Sequence, residues 1–318
     1  MDRMADVAGL ALPFFGLIFL GFACGRLRKA PVEGLEWFNV YIVYVAVPAL
    51  YFVLISRTPF EELANVGFIV VTTTSTFLAF ALSFGVGMIA ARGKIPEATI
   101  QAMGGSYSNV GYMGPGLTLA ALGPTASAPT ALIFVFDCML FFTLVPFLMS
   151  VAASKRESLW ATAALVVRRV ALHPFNLATL AGGIAAYLHY VPPKPIDEIV
   201  RLLSGSAAPC ALFVLGVTVA LRPLKRIPGE LPALLAIKLL VHPLIVFTLL
   251  TLVGGFDRIW VSTAVLMASL PPALNIFVMA SQYQTYVERA SSVILVGTVL
   301  SVLTVTGMLY LVVHGMLP

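Results

Sequence analysis

Apolar stretches of about 20 residues follow one another along this chain with short polar interruptions, the length an α-helix needs to cross about 30 Å of hydrocarbon. Read with a window of about 19 residues, the pattern predicts ten spans, near 8–25, 36–55, 64–91, 99–121, 127–152, 170–190, 196–221, 231–253, 260–281 and 289–313. Two of them carry glycine or proline in their interiors. Met103–Leu122 reads MGGSYSNVGYMGPGLTLAAL, and Ile259–Ser281 reads IWVSTAVLMASLPPALNIFVMAS. Proline cannot donate the helical hydrogen bond and its ring clashes with the preceding turn, so both segments are expected as helices broken near mid-membrane. The third span is long enough to tilt.

The two halves resemble each other. Pro13 matches Pro174, Gly21 matches Gly182, Pro31 matches Pro192, Pro48 matches Pro209 and Phe52 matches Phe213, each pair separated by 161 positions. Glu36 and Asp197, both at the start of a span, share that offset. Five spans per half is an odd number, so the second half enters the membrane from the opposite side and the fold expected is two inverted five-helix repeats. Repeat one covers about 8–152 and repeat two about 170–313, with the fourth span of each half broken.

Composition makes this a membrane chain throughout. Of 318 residues 60% are hydrophobic and 10% charged, with mean hydropathy +0.99, where soluble domains carry about 25% charged residues. No stretch could form a soluble domain of useful size, so residues 1–318 read as one all-α membrane domain. The start, MDRMADVAGLALPFFGLIFLGFACG, imitates a signal peptide with a lipoprotein-like Cys24, but Arg26, Arg28 and Lys29 follow the apolar run instead of leading it, and it is read as a first span. The net charge of +5 and pI of about 9.2 do not indicate a nucleic-acid partner, because the basic residues sit in short loops. Thirteen Lys and Arg flank one face and four the other, which puts the loops after odd spans in the cytoplasm and both termini outside.

Broken helices in matching positions of two halves point to a transporter's substrate site. A half-helix that begins inside the membrane presents free N–H groups and a positive dipole end, which suits an anion; one that stops there presents carbonyls, which suit a cation. The substrate-binding candidates are Asn109, Tyr112, Gly114, Pro115, Pro271, Pro272 and Asn275. Pro115 and Pro272 are expected in the first turn of the second halves, where a missing N–H costs nothing. The bland alternative for the two asparagines is that they satisfy freed backbone groups. Asp137 is the carboxylate well inside an apolar span; a charge there costs about 2.5–3.5 kcal/mol, and it reads equally as a proton or sodium coupling site and as half of a structural pair. Lys238, two turns into the eighth span, is expected to snorkel to the cytoplasmic face, with anion binding or pairing to Asp137 as the alternatives. His173 and His242 read as packing or interfacial histidines and Trp37, Trp160 and Trp260 as interfacial anchors. The cysteines Cys24, Cys138 and Cys210 show neither disulfide nor metal-ligand spacing, and no metal or cofactor is expected.

Five stretches carry a family resemblance: Leu20–Leu27 (LGFACGRL), Tyr44–Phe52 (YVAVPALYF), Ser108–Pro115 (SNVGYMGP), Ala207–Gly216 (AAPCALFVLG) and Leu270–Tyr283 (LPPALNIFVMASQY). The chain resembles the auxin efflux carrier family, which includes plant auxin exporters and bacterial organic-acid permeases. The resemblance implies a ten-helix carrier with outside termini, crossing broken helices 4 and 9, a scaffold part, a moving part and often a homodimer, carrying carboxylates such as auxin, malonate or malate. The short join at Ala153–Arg169 looks like the compact bacterial form, hence an inner-membrane location. Gly114 and Pro271 depart from the family's usual pattern at the two breaks, so the substrate's identity does not carry over. The function expected is secondary transport of small organic anions by alternating access, uniport or proton- or sodium-coupled. Rival readings are a sodium symporter of the bile-acid type, a channel and an intramembrane enzyme; the last lacks HExxH, paired carboxylates within a span or a serine with a nearby histidine base.

Overall fold

A computed structural model describes residues 3–28, 32–152, 168, 171–172, 174–221 and 227–317. Lys29, Lys155, Arg156, Trp160, Arg169, His173, Arg222, Lys225 and Arg226, on which parts of the charge and anchor readings rest, lie outside the described residues. The helices are α1 (Arg3–Arg28), α2 (Glu36–Ser56), α3 (Val66–Ala90), α4 (Ile95–Gly104), α5 (Gly114–Leu122) and α6 (Ser127–Ala152). They continue as α7 (Pro174–Tyr187), α8 (Lys194–Leu221), α9 (Leu231–Val253), α10 (Arg258–Ser269), α11 (Asn275–Gln282) and α12 (Val287–Val313). Seven helices among the described residues are long and apolar enough to cross a membrane. The other three predicted spans are the interrupted pairs α4/α5 and α10/α11, and α7, which has 14 described residues.

Two helix prolines, Pro48 and Pro243, follow a widened turn, whereas Pro13, Pro146 and Pro209 lie within α-helix. In α2 and α9 a π-helical turn, Ile42–Ala46 and Ile237–Val241, immediately precedes Val47-Pro48 and His242-Pro243. The N–H groups of Val47 and His242 reach back to Ile42 and Ile237. A proline lacks an N–H and crowds the carbonyl four residues back, and one widened turn relieves both problems while rotating the residues ahead of it.

The helices pack in two groups, which touch where α1 meets α5 and α12 and where α2 meets α6. In one, α1 runs along α8, α2 along α7, and α2 against α8. In the other, α3 packs on α4 and α9, α9 on α10, α6 on α3, α4 and α10, and α12 on α4, α10 and α11. Lipid tails are as apolar as leucine, so close backbone approach at small residues holds such helices together. Gly21 on α1 lies against the backbone carbonyl of Phe213 on α8, and Gly182 on α7 lies against that of Phe52 on α2. A Cβ at Gly21 would lie so close to that carbonyl that the neighbouring helix must move, whereas one at Gly182 would be tight, 3.2 Å from the Phe52 oxygen. Across the groups Tyr51 stacks on Phe134 at 3.7 Å between ring centroids.

Candidate functional site

Both interrupted segments break, and the breaks meet. The chain leaves helical geometry between α4 and α5 and again between α10 and α11, and the two linkers form one antiparallel bridge pairing Ser108 with Pro272. Asn109 N–H donates to Pro271 O at 2.8 Å, and Ala273 N–H donates to Tyr107 O at 3.0 Å. Each break thus satisfies backbone groups freed by the other, which permits irregular backbone at membrane depth. Four helix ends surround the bridge: α4 and α10 stop there with carbonyls, while α5 and α11 start there with N–H groups.

Pro115 sits in the first turn of α5, as expected. Pro272 does not sit in the first turn of α11, which starts at Asn275; it stays in the linker because its neighbours are held in the bridge. The side chain of Pro272 packs on Gly297 of α12, where a Cβ would lie 2.6 Å from the proline ring. Gly114, the first residue of α5, faces Met267 so closely that a Cβ would fall 2.7 Å from its sulfur.

Tyr112 and Asn275 line a cavity of about 440 Å³ together with Asn39, Phe175, Thr218 and Leu274, with Glu36 at its exposed end. Asn109, Gly114, Pro115, Pro271 and Pro272 do not line it. Asn275 Nδ2 donates to Tyr107 Oη at 3.5 Å. Asn109 is 2% exposed and its Nδ2 has no hydrogen-bond partner, an unusual state for a buried amide. Among the described residues the cavity's lining holds no lysine or arginine.

Behind the bridge lies a second polar cluster. Asp137 on α6 is buried with Thr76 of α3 as its hydrogen-bond partner and the Lys238 ammonium nearby. Lys238 does not snorkel: it is 0% exposed and its Nζ donates to Ala268 O at 2.5 Å. Two constraints turn it inward. It belongs to the π-helical turn of α9, and Ala268 is in the last turn of α10, where carbonyls have no intrahelical partner. His242, also buried, links Lys238 Nζ at 3.5 Å through Nδ1 to Thr76 Oγ1 at 3.3 Å through Nε2.

The sequence profile of the family described as membrane transport protein matches residues 7–309. The chain belongs to this family, the auxin efflux carriers. It is 50% identical over 315 residues to a Rhizobium meliloti (strain 1021) protein described as "Putative malonate transporter", covering 99% of this chain and 98% of that one. It is 25% identical over 294 residues to an "Uncharacterized transporter" of Methanothermobacter thermautotrophicus, covering 91% and 92%. The chain is therefore an integral membrane transport protein and not an enzyme.

Several residues of this carrier's two clusters escaped the sequence reading. Thr76 was signalled by the polar run Thr72–Thr76 inside an otherwise apolar span, where Thr72 and Thr76 share one helix face. Asn39 and Thr218 come from α2 and α8, far in sequence from either break, and nothing local marked them.

Proposed function

We propose that this carrier moves small carboxylates, malonate foremost, through the meeting point of its two broken helices. The malonate assignment rests on the Rhizobium meliloti relative; the anion class rests also on the start of α11, which borders the cavity. The observation that carries the reading is the Ser108–Pro272 bridge beside the Asn275 cavity. Favourable dipole ends contribute about 0.3–2 kcal/mol each and hydrogen bonds to a charged group about 1.5–3 kcal/mol each. The one dipole end that borders the cavity, at α11, and two such hydrogen bonds give roughly 3–8 kcal/mol gross, and ordering costs bring this toward millimolar binding, about 4 kcal/mol, weak enough for release.

In this reading the ten spans form two inverted repeats with crossing broken helices. The paired glycine contacts support it: swapping equivalent positions turns the Gly21–Phe213 contact into the Gly182–Phe52 contact. So does the packing, since α1 on α8 and α7 on α2 exchange under the same operation. The group of α1, α2, α7 and α8 is the scaffold and the other group moves, exposing the bridge alternately to the two sides. Both termini lie outside a bacterial inner membrane, following the loop charges, and the carrier works as a homodimer. The anion gradient and the membrane potential, about 2.3 kcal/mol per charge per 100 mV, drive transport.

Counterflow in proteoliposomes across mono- and dicarboxylates tests this, with neutral solutes of similar size alongside. Exchange of malonate and related anions is expected. Exchange of neutral solutes alone would overturn the anion reading.

A further inference from the structure

The cluster around Asp137 contains the parts from which a protein builds a monovalent-cation site: a buried carboxylate, a freed carbonyl at the negative end of a half-helix, and a hydroxyl. All three are taken. Lys238 Nζ lies on Ala268 O at 2.5 Å, and Ser108 Oγ donates to the same carbonyl at 3.3 Å. The hydrogen bonds have one consistent direction. Because His242 Nδ1 faces an ammonium that can only donate, Nδ1 accepts and Nε2 carries the proton. Nε2–H then donates to Thr76 Oγ1, which leaves the Thr76 hydroxyl proton for the Asp137 carboxylate. The chain Lys238, His242, Thr76, Asp137 runs from the lysine nitrogen to the carboxylate.

Little room remains. The void bounded by Thr76, Asp137, His242 and Ala268 is about 10 Å³, at the threshold for a single water. A buried carboxylate and a buried ammonium are each costly alone and tolerable together.

We propose that the Lys238 ammonium is a resident cation occupying the place of a coupling ion, so that this carrier works without sodium, and that removing it opens a monovalent-cation site at Asp137, Ala268 O and Thr76. The lysine is tethered to α9 and sits against the last turn of α10, so it travels with the bridge and neutralises Asp137 in every conformation. The transport half of this inference rests on the carboxylate reading given above; the cation-site half does not.

Thermal unfolding of the purified protein in detergent, titrated with sodium chloride against choline chloride at constant ionic strength, separates the two. The wild type is expected to be indifferent to sodium. Lys238→Ala is expected to lose stability in choline and to regain it with sodium, by about 4 °C or more over a hundredfold titration, and Lys238→Ala combined with Asp137→Asn is expected to show no sodium response. Asp137→Asn with Lys238→Met, neutral throughout, is expected to unfold at a higher temperature than Asp137→Asn alone. Sodium stabilising the wild type, or Lys238→Ala folded yet indifferent to sodium, would overturn the proposal. Should Lys238→Ala fail to fold, the wild-type titration and the neutral double variant still decide, since a double variant no more stable than Asp137→Asn contradicts the pairing. In proteoliposomes, wild-type counterflow is expected at equal rates in sodium and choline; a sodium-dependent rate contradicts the resident cation while leaving the carboxylate reading intact.

Discussion

Asn275 and Asn109 differ in what their loss should cost. Asn275 borders the cavity and holds one long hydrogen bond, so Asn275→Ala is expected to lower the malonate counterflow kcat/KM by about 10- to 100-fold, the worth of one hydrogen bond to a charged group. Asn109→Ala removes an amide with an unpartnered Nδ2, so it strands no partner of that nitrogen; it should leave the unfolding temperature nearly unchanged while weakening transport. At Asp137 the sign reverses: Asp137→Asn strands a buried ammonium, a loss of about 3–5 kcal/mol, readable as a fall in unfolding temperature. The asparagines and Asp137 were legible because polar residues in apolar spans stand out. Lys238 was misread because its distance along the span suits snorkelling equally well; its burial depends on the π turn and on Ala268, brought near only by the fold.

Elements were legible to the extent that local chemistry dictates them. Glycine and proline inside two spans announced both breaks, yet the first break falls over residues 105–113 and ends at Gly114, earlier than the Gly-Pro pair suggested. Helix resumes at Gly114 because proline is tolerated in a first turn. The second break lasts past Pro272 because its backbone is engaged by Tyr107 and Asn109, partners about 160 residues away that no window could reveal. The contact of Pro272 with Gly297 makes a test of how rigidly the bridge is held. Gly297→Ala should destabilise by about 1–3 kcal/mol through overpacking, whereas Gly307→Ala, with nothing within 4 Å of its Cβ, should be neutral or stabilising by about 0.5–1 kcal/mol. Parallel thermal melts of the two variants measure the difference.

For the whole molecule, the grouping of helices could not be read from hydropathy, which counts spans and says nothing of neighbours; the 161-residue offset relates the two halves but does not say which helices touch. If the two groups move against each other, tying them together stops turnover. A Cβ at Gly116 on α5 would lie 3.6 Å from Ala208 Cβ on α8, within disulfide reach once the Phe14 ring, 2.6 Å from that Cβ, turns aside. In a background lacking Cys24, Cys138 and Cys210, the Gly116→Cys, Ala208→Cys pair should lose counterflow on oxidation and recover it on reduction; full activity in the oxidised state would count against moving groups. Orientation has its own check, since a cysteine added after Pro318 should react with an impermeant reagent in intact cells. The central claim is that the two meeting breaks hold a carboxylate, and equilibrium binding tests it most directly. Calorimetry of malonate with the purified protein should give saturable, roughly millimolar binding that falls about tenfold or more in Asn275→Ala; binding of equal strength in that variant, or none in a folded wild type, would contradict the account.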